Sequence, residues 1–206
     1  MRPLVGAMLA GEMSGACALV DQFLARTHRR AAVFADLLQP AQYEIGELWY
    51  RGRIGIEAEH RAATMLERLV GRLPATPSRS PVPGGTRCLL TVMPGEQHTM
   101  GLWMFALALE DEGWEVELLD TDCYPRDLFD LVDRARPRLV GISAGFLPEV
   151  NGLTTVIKSI RELSVPVLVG GAAFNRAHDL WRRVGASAHG ADARIGTVHA
   201  RRLVRT

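Results

Sequence analysis

Residues 88–101 read Cys88-Leu-Leu-Thr-Val-Met93-Pro-Gly-Glu-Gln-His98-Thr-Met-Gly101. A short apolar run ends at Val92, a Pro-Gly loop follows, and an apolar stretch of helical length opens around Gly101. The order strand, loop, helix then recurs downstream. Apolar runs Cys88 to Val92, Val116 to Leu119, Leu139 to Ser143 and Val167 to Val169 alternate with helical stretches near 99–112, 125–135, 149–162, 173–183 and 194–204. Such alternation predicts an α/β domain in which helices flank a parallel sheet.

Upstream the character changes. Residues 74–86, Pro74-Ala-Thr-Pro-Ser-Arg-Ser-Pro-Val-Pro-Gly-Gly-Thr86, carry no periodic pattern and read as a linker. Before it, apolar residues recur at helical spacing over 2–10, 13–27, 29–50 with a break near Pro40, and 56–72. The expected organisation is a four-helix bundle over 1–74, a linker over 75–86 and the α/β domain over 87–206.

Composition narrows the function classes. The chain has 206 residues, 48% of them apolar, enough for a real core. With 24 basic against 23 acidic residues the net charge is +1, so no overall field favours nucleic acid or an anionic membrane. The N-terminal apolar run is too short for a signal peptide or a spanning helix, and a cytoplasmic protein is expected. Cys17, Cys88 and Cys123 are odd in number and far apart, which predicts buried free thiols rather than a disulfide or metal framework.

Ligands of an open parallel sheet bind beyond the carboxyl ends of its strands, where loops diverge and helix N-termini offer donors. The loop Met93 to His98 leaves the first strand at that edge. A neutral imidazole at His98 is a good transition-metal ligand, and Glu96, two residues away, could hold its other ring nitrogen. Gly101 would let a bulky group lie close to the following helix. Taken alone, His98 reads equally as an exposed loop histidine beside an N-capping carboxylate. A second site lies in the helical half. On the helix from Ile56 the stripe Ile56, Ala63, Leu66, Val70, Leu73 includes Glu59 and His60 by i+3 and i+4 spacing, which turns both polar groups inward. Burial would oblige them to find partners, either each other, the backbone or a ligand. Trp49 precedes the Arg51-Gly52-Arg53 break, and its ring could cover an apolar ligand or serve as core packing.

Together these residues resemble the cobalamin-binding photoreceptor module of the CarH/LitR type. Its cap signature is a tryptophan, nine residues, then Glu-His, matched by Trp49, Glu59 and His60. Its cobalt-ligand signature, an acidic residue, any residue, His, two more, Gly, is matched by Glu96, His98 and Gly101, with Glu where many cobalamin proteins carry Asp. Ser143 and the pair Gly170-Gly171 follow where such domains have a serine motif and a glycine pair. The resemblance covers nearly the whole chain and implies a helical cap followed by a flavodoxin-like, Rossmann-type, doubly wound parallel sheet.

Carried over, the resemblance makes His98 the lower axial ligand of cobalt in place of the dimethylbenzimidazole base, with Glu96 as its hydrogen-bond partner. Ser143, Gly170 and Gly171 would line the slot for the displaced tail. Trp49 would stack over the adenosyl group, Glu59 would hydrogen-bond its sugar, and His60 and Ile56 would lie beside them. Departures accompany the matches. The DNA-binding members carry a helix-turn-helix module ahead of the cap, whereas this sequence begins at the cap, so direct operator binding is not expected. Tyr50 stands where the best-known members have a second histidine ligand, and Gly145 where the serine motif often has a larger apolar residue.

The function implied is a light sensor rather than an enzyme. Photolysis of adenosylcobalamin would shift the cap or the oligomeric state, a dimer being favoured, and the signal would pass to a partner protein without contact to nucleic acid or membrane. Two alternatives share the architecture: the corrinoid-carrier subunit of a methyltransferase, and an antirepressor like the AerR group. The photocobilins, a related branch, hold a bilin as well; its contacts would be His28, His178 or His189 with nearby arginines.

Overall fold

The structure is a computed structural model that describes residues 2–73, 85–93, 95–96, 99–119, 125–145 and 150–205. His98, Cys123 and most of the expected linker lie outside these residues. The chain divides into two compact units, Met1–Ser78 and Arg79–Thr206.

The first unit is helical. Its elements are α1 (Arg2–Ala10), α2 (Met13–Thr27), α3 (Arg30–Val33), a π-helical turn (Phe34–Leu38), α4 (Gln39–Tyr50) and α5 (Ile56–Gly71). The predicted break at Pro40 takes the form of this π turn. Proline has no N–H to return to the carbonyl four residues back, and the Gln39 N–H instead reaches the Phe34 carbonyl in the wider π pattern. The helical run therefore continues from α3 into α4. Leu4 and Met8 of α1, Val20 of α2, Phe34 and Leu38 of the π turn, Ile45 of α4 and Leu66 and Leu69 of α5 form the core. Helix α1 packs on α2, α4 and α5, and α4 packs on α5.

On α5 the buried face is Ala62, Met65, Leu66, Leu69 and Val70. The predicted inward turn of Glu59 and His60 is not what the fold shows. With a step of about 100° per residue, His60 falls roughly 150° from the centre of this stripe and Glu59 at its margin. Accordingly the His60 side chain is 72% exposed and that of Glu59 27%. The thiol expectation also needs correction at one position: Cys88 is buried, but Cys17 is only half-buried. Burial, with Glu110 adding to it, pushes the Cys88 thiol up to about 12, so it stays protonated at neutral pH.

The second unit is a five-stranded, all-parallel sheet in the order β2-β1-β3-β4-β5. Its strands are β1 (Arg87–Val92), β2 (Glu115–Leu119), β3 (Leu139–Ser143), β4 (Val167–Gly170) and β5 (Ala188–Gly190). Helices α6 (Met100–Glu110), α7 (Pro125–Ala135), α8 (Val150–Glu162), α9 (Ala172–Arg176), α10 (Leu180–Arg183) and α11 (Ala193–Val204) connect and close it. The predicted helix 173–183 is two short helices, and β5 is a strand beyond the four expected. Alternation along the strands sorts the two faces. Leu89, Val140, Ile142, Val167 and Val169 join Val132 of α7 and Leu153, Ile157 and Ile160 of α8 in one core. The opposite face is covered by α6, which touches β1, β2 and β3, and by α11, which touches β3, β4 and β5. Asp192 caps α11, its carboxylate accepting from the Ile195 N–H at 2.7 Å. Among the described residues no helix is long and apolar enough to cross a membrane.

Candidate functional site

The helix after β1 lies on one face of the sheet and the helix after β3 on the other, so their loops part company at the carboxyl edge. In this strand order the resulting crevice between β1 and β3 is where ligands bind. Glu96 stands on one side of it. Gly95 turns the loop with φ +79°, a conformation that glycine adopts without strain, and the Glu96 N–H closes the turn on the Met93 carbonyl at 3.0 Å. The Glu96 carboxylate crosses the crevice, where Oε2 accepts from the backbone N–H of Gly145 at 2.5 Å. That contact was not anticipated from sequence. Among the described residues no three His, Cys, Asp or Glu side chains converge as metal ligands.

Ser143, Gly170 and Gly171 come together at the adjoining ends of β3 and β4. Ser143 is buried and pairs in register with Val92 on one side and Gly170 on the other. Here the chain leaves no room for side chains. A Cβ on Gly171 would lie 2.3 Å from the Ala144 carbonyl oxygen, and one on Gly170 would lie 3.1 Å from that of Gly190. Small residues continue across the same face: a Cβ on Gly190 would lie 2.8 Å from the Gly196 Cα of α11. These approaches are backbone against backbone, so glycine is required there by the packing of the ends of β3, β4 and β5 and the start of α11. At Gly101, by contrast, a Cβ would meet nothing within 4 Å among the described residues.

In the first unit, Trp49 and Ile56 stand at the same end of the α4–α5 hairpin, 47% and 48% exposed, with Tyr50 and Tyr43 also exposed on α4. The core of the first unit thus leaves Trp49 and Ile56 uncovered. Glu59 and His60 follow within the first two turns of α5, the Glu59 Oε2 lying 3.7 Å from the His60 Nε2. They serve each other only loosely, and both remain accessible. Inside α4, Glu44 Oε2 is buried and has no hydrogen-bond partner among the described residues.

Of the other histidines, His28 ends α2 in the left-handed conformation and His178 is exposed. His189 is engaged: its Nε2 lies 2.9 Å from Asn175 Oδ1, and the Asn175 amide donates to the Ala191 carbonyl. Burial, and then the neighbouring His178 and His199, lower its pKa from the ordinary 6.5. The unfolded chain takes up this proton near pH 6.5 while the folded one resists it. Stability from this group is therefore complete above that pH and is lost as the pH falls through and below it. Denaturation midpoints should decline between about pH 7 and about pH 5. His189→Asn should flatten that decline; equal slopes in both proteins would rule this histidine out as its cause.

Two family profiles, each described as a B12 binding domain, match the chain over residues 2–73 and 86–195. The chain is 33% identical over 149 residues to the HTH-type transcriptional repressor CarH of Myxococcus xanthus, covering 70% of this chain and 48% of that protein. It thus spans about half the length of that relative. It is 27% identical over 173 residues to an uncharacterized 20.5 kDa protein from the bchF-crtJ intergenic region of Rhodobacter capsulatus, covering 82% of this chain and 90% of that one. Among solved structures, the monomethylamine corrinoid protein of Methanosarcina barkeri superposes with a TM-score of 0.75 at 16% identity, over 96% of this chain and 95% of the other.

Proposed function

Since the chain belongs to the B12-binding domain family, we propose that it is a cytoplasmic light sensor that holds adenosylcobalamin and signals through a protein partner. The observation that carries this reading is the α4–α5 hairpin end. There Trp49, Ile56 and Glu59 are presented at the surface instead of being consumed by the core. A cap that merely shielded a methyl group would need no carboxylate there.

Bound adenosylcobalamin would supply a cobalt–carbon bond that green or blue light breaks. The chain's own residues divide the remaining work. His98 would ligate the cobalt, and Glu96 would help to orient the loop that carries it. Ser143, Gly170 and Gly171 would hold the nucleotide tail. Trp49 offers a flat apolar face to the adenine, Ile56 packs beside it, and Glu59 accepts hydrogen bonds from the ribose hydroxyls. His60, exposed beside Glu59, would be available as a nitrogen ligand, a role that Tyr50 does not fill. Trp49 and Ile56, exposed together at the hairpin end, would be the surface through which the cap meets a partner or a second copy of the chain.

Reconstitution with adenosylcobalamin in the dark, followed by illumination, tests the reading. The absorption spectrum should convert to that of a cob(III)alamin product, and size-exclusion chromatography should show a light-dependent change of oligomer; a light-stable spectrum would exclude photosensing while leaving cobalamin binding intact. Glu59→Ala discriminates the corrinoid-carrier alternative. It should weaken adenosylcobalamin by about tenfold, the scale of one or two hydrogen bonds to a charged group, and spare methylcobalamin. Equal loss for both forms would favour a role other than sugar recognition. A red absorption band on adding biliverdin would establish a second, bilin chromophore.

A further inference from the structure

Two residues depart from the cobalamin-domain pattern in this chain, and they touch each other. Position 96 carries Glu where Asp is common, and position 145 carries Gly where a larger apolar residue is common. Glu96 Oε2 accepts from the Gly145 N–H at 2.5 Å, although 49 positions separate them. A Cβ on Gly145 would lie 3.0 Å from Oε2 and 3.4 Å from Oε1 of the same carboxylate. The two residues are matched in size across this contact. An aspartate, shorter by one carbon–carbon bond of roughly 1.5 Å, would not reach across the crevice. A side chain at 145 would occupy the space that the longer acid needs.

We infer that Glu96 and Gly145 form a latch across the β1/β3 crevice, with Gly145 as a positioning residue for the loop that bears His98. A carboxylate bound to a backbone donor makes a strong, charge-assisted hydrogen bond. It ties Glu96, in the loop after β1, to Gly145, in the loop after β3, the two segments that diverge at the switch point. If Glu96 acted only as a partner to the His98 ring, position 145 would be indifferent to substitution. The consequence for cobalt ligation rests on the cobalamin reading, but the latch itself rests on the Glu96–Gly145 contact alone.

The test is a double-mutant cycle on the full chain with Glu96→Asp, Gly145→Val and the double variant, each measured in two ways. In urea denaturation of the apoprotein, each single change should lower the midpoint and the double should go no lower than the worse single, because both remove the same bond. Glu96→Gln, which keeps an acceptor oxygen at full reach, should retain most of the wild-type midpoint. With adenosylcobalamin in the dark, each single variant should still bind the cofactor but lose about tenfold in the ratio of histidine-ligated to histidine-free spectrum, the scale of one charge-assisted bond. Strictly additive midpoint shifts, or a Gly145→Val protein with wild-type midpoint and spectrum, would overturn the latch. Should the valine variant fail to fold, Gly145→Ala replaces it, with a smaller change of the same sign expected and no change counting against the proposal. Absence of cobalamin binding by the unmodified protein would sink the functional reading, and the apoprotein cycle would then decide the latch alone.

Discussion

Gly171→Ala should destabilise the α/β unit by about 3 to 5 kcal/mol and abolish cofactor uptake with it, from backbone strain and overpacking together. Gly171 has φ +98° and ψ 172°, a region that residues with a Cβ hardly enter. The added carbon would also lie 2.3 Å from the Ala144 oxygen, 2.8 Å from its carbonyl carbon and 2.9 Å from its nitrogen. These atoms have little freedom to yield. The Ala144 N–H donates to the Gly170 carbonyl at 3.0 Å, and the Ala144 oxygen accepts from the Ala173 N–H at 3.1 Å, so retreat would break the bonds that join the residue after β3 to the end of β4 and to α9. Gly170→Ala provides the internal comparison. Its Cβ would meet a single oxygen at 3.1 Å, and its φ lies outside the left-handed region, so the loss should be clearly smaller. Urea denaturation of the two apoproteins measures the difference, and a Gly171→Ala protein as stable as the wild type would refute the steric account.

The second large effect belongs to His98. His98→Ala should leave cobalamin attached through its tail while the spectrum changes from the histidine-ligated form to that of the free cofactor. Affinity should fall by at least about tenfold, since altering even the groups that orient a metal ligand costs that much. In sequence His98 stands two residues after Glu96, whose carboxylate is fixed on Gly145, and two before Met100, where α6 begins. Titration of apoprotein with adenosylcobalamin in the dark gives affinity and spectrum together. An unchanged bound spectrum in the alanine variant would show that another group ligates the metal.

Much of the fold was legible because its signals are local. Helices α1, α2, α4 and α5 follow from apolar residues at helical spacing, and β1 to β4 follow from short apolar runs bounded by turn residues. Strand β5 has no such signal. Its three residues, Ala188, His189 and Gly190, lack β-branched and apolar bulk, and they form a strand because the edge of β4 offers hydrogen bonds and Gly190 lets α11 approach at Gly196. The candidate residues were legible as motifs, since spacing survives in sequence whatever the fold does. Their surroundings were not.

The α5 stripe makes the division plain. Periodicity in the sequence determined that residues 56–71 form an amphipathic helix, because helix formation depends on neighbours three and four positions apart. Which of two adjoining stripes faces inward was decided by contact with α1, α2 and α4, and that choice left Glu59 at the margin and His60 in the open. The same holds for the crevice. The sequence by itself determined a strand, a loop with Glu96 and His98, and a helix; the tertiary structure decided that the Glu96 carboxylate reaches Gly145. Strand order brings the ends of β1 and β3 side by side, and no spacing rule connects residues 49 positions apart.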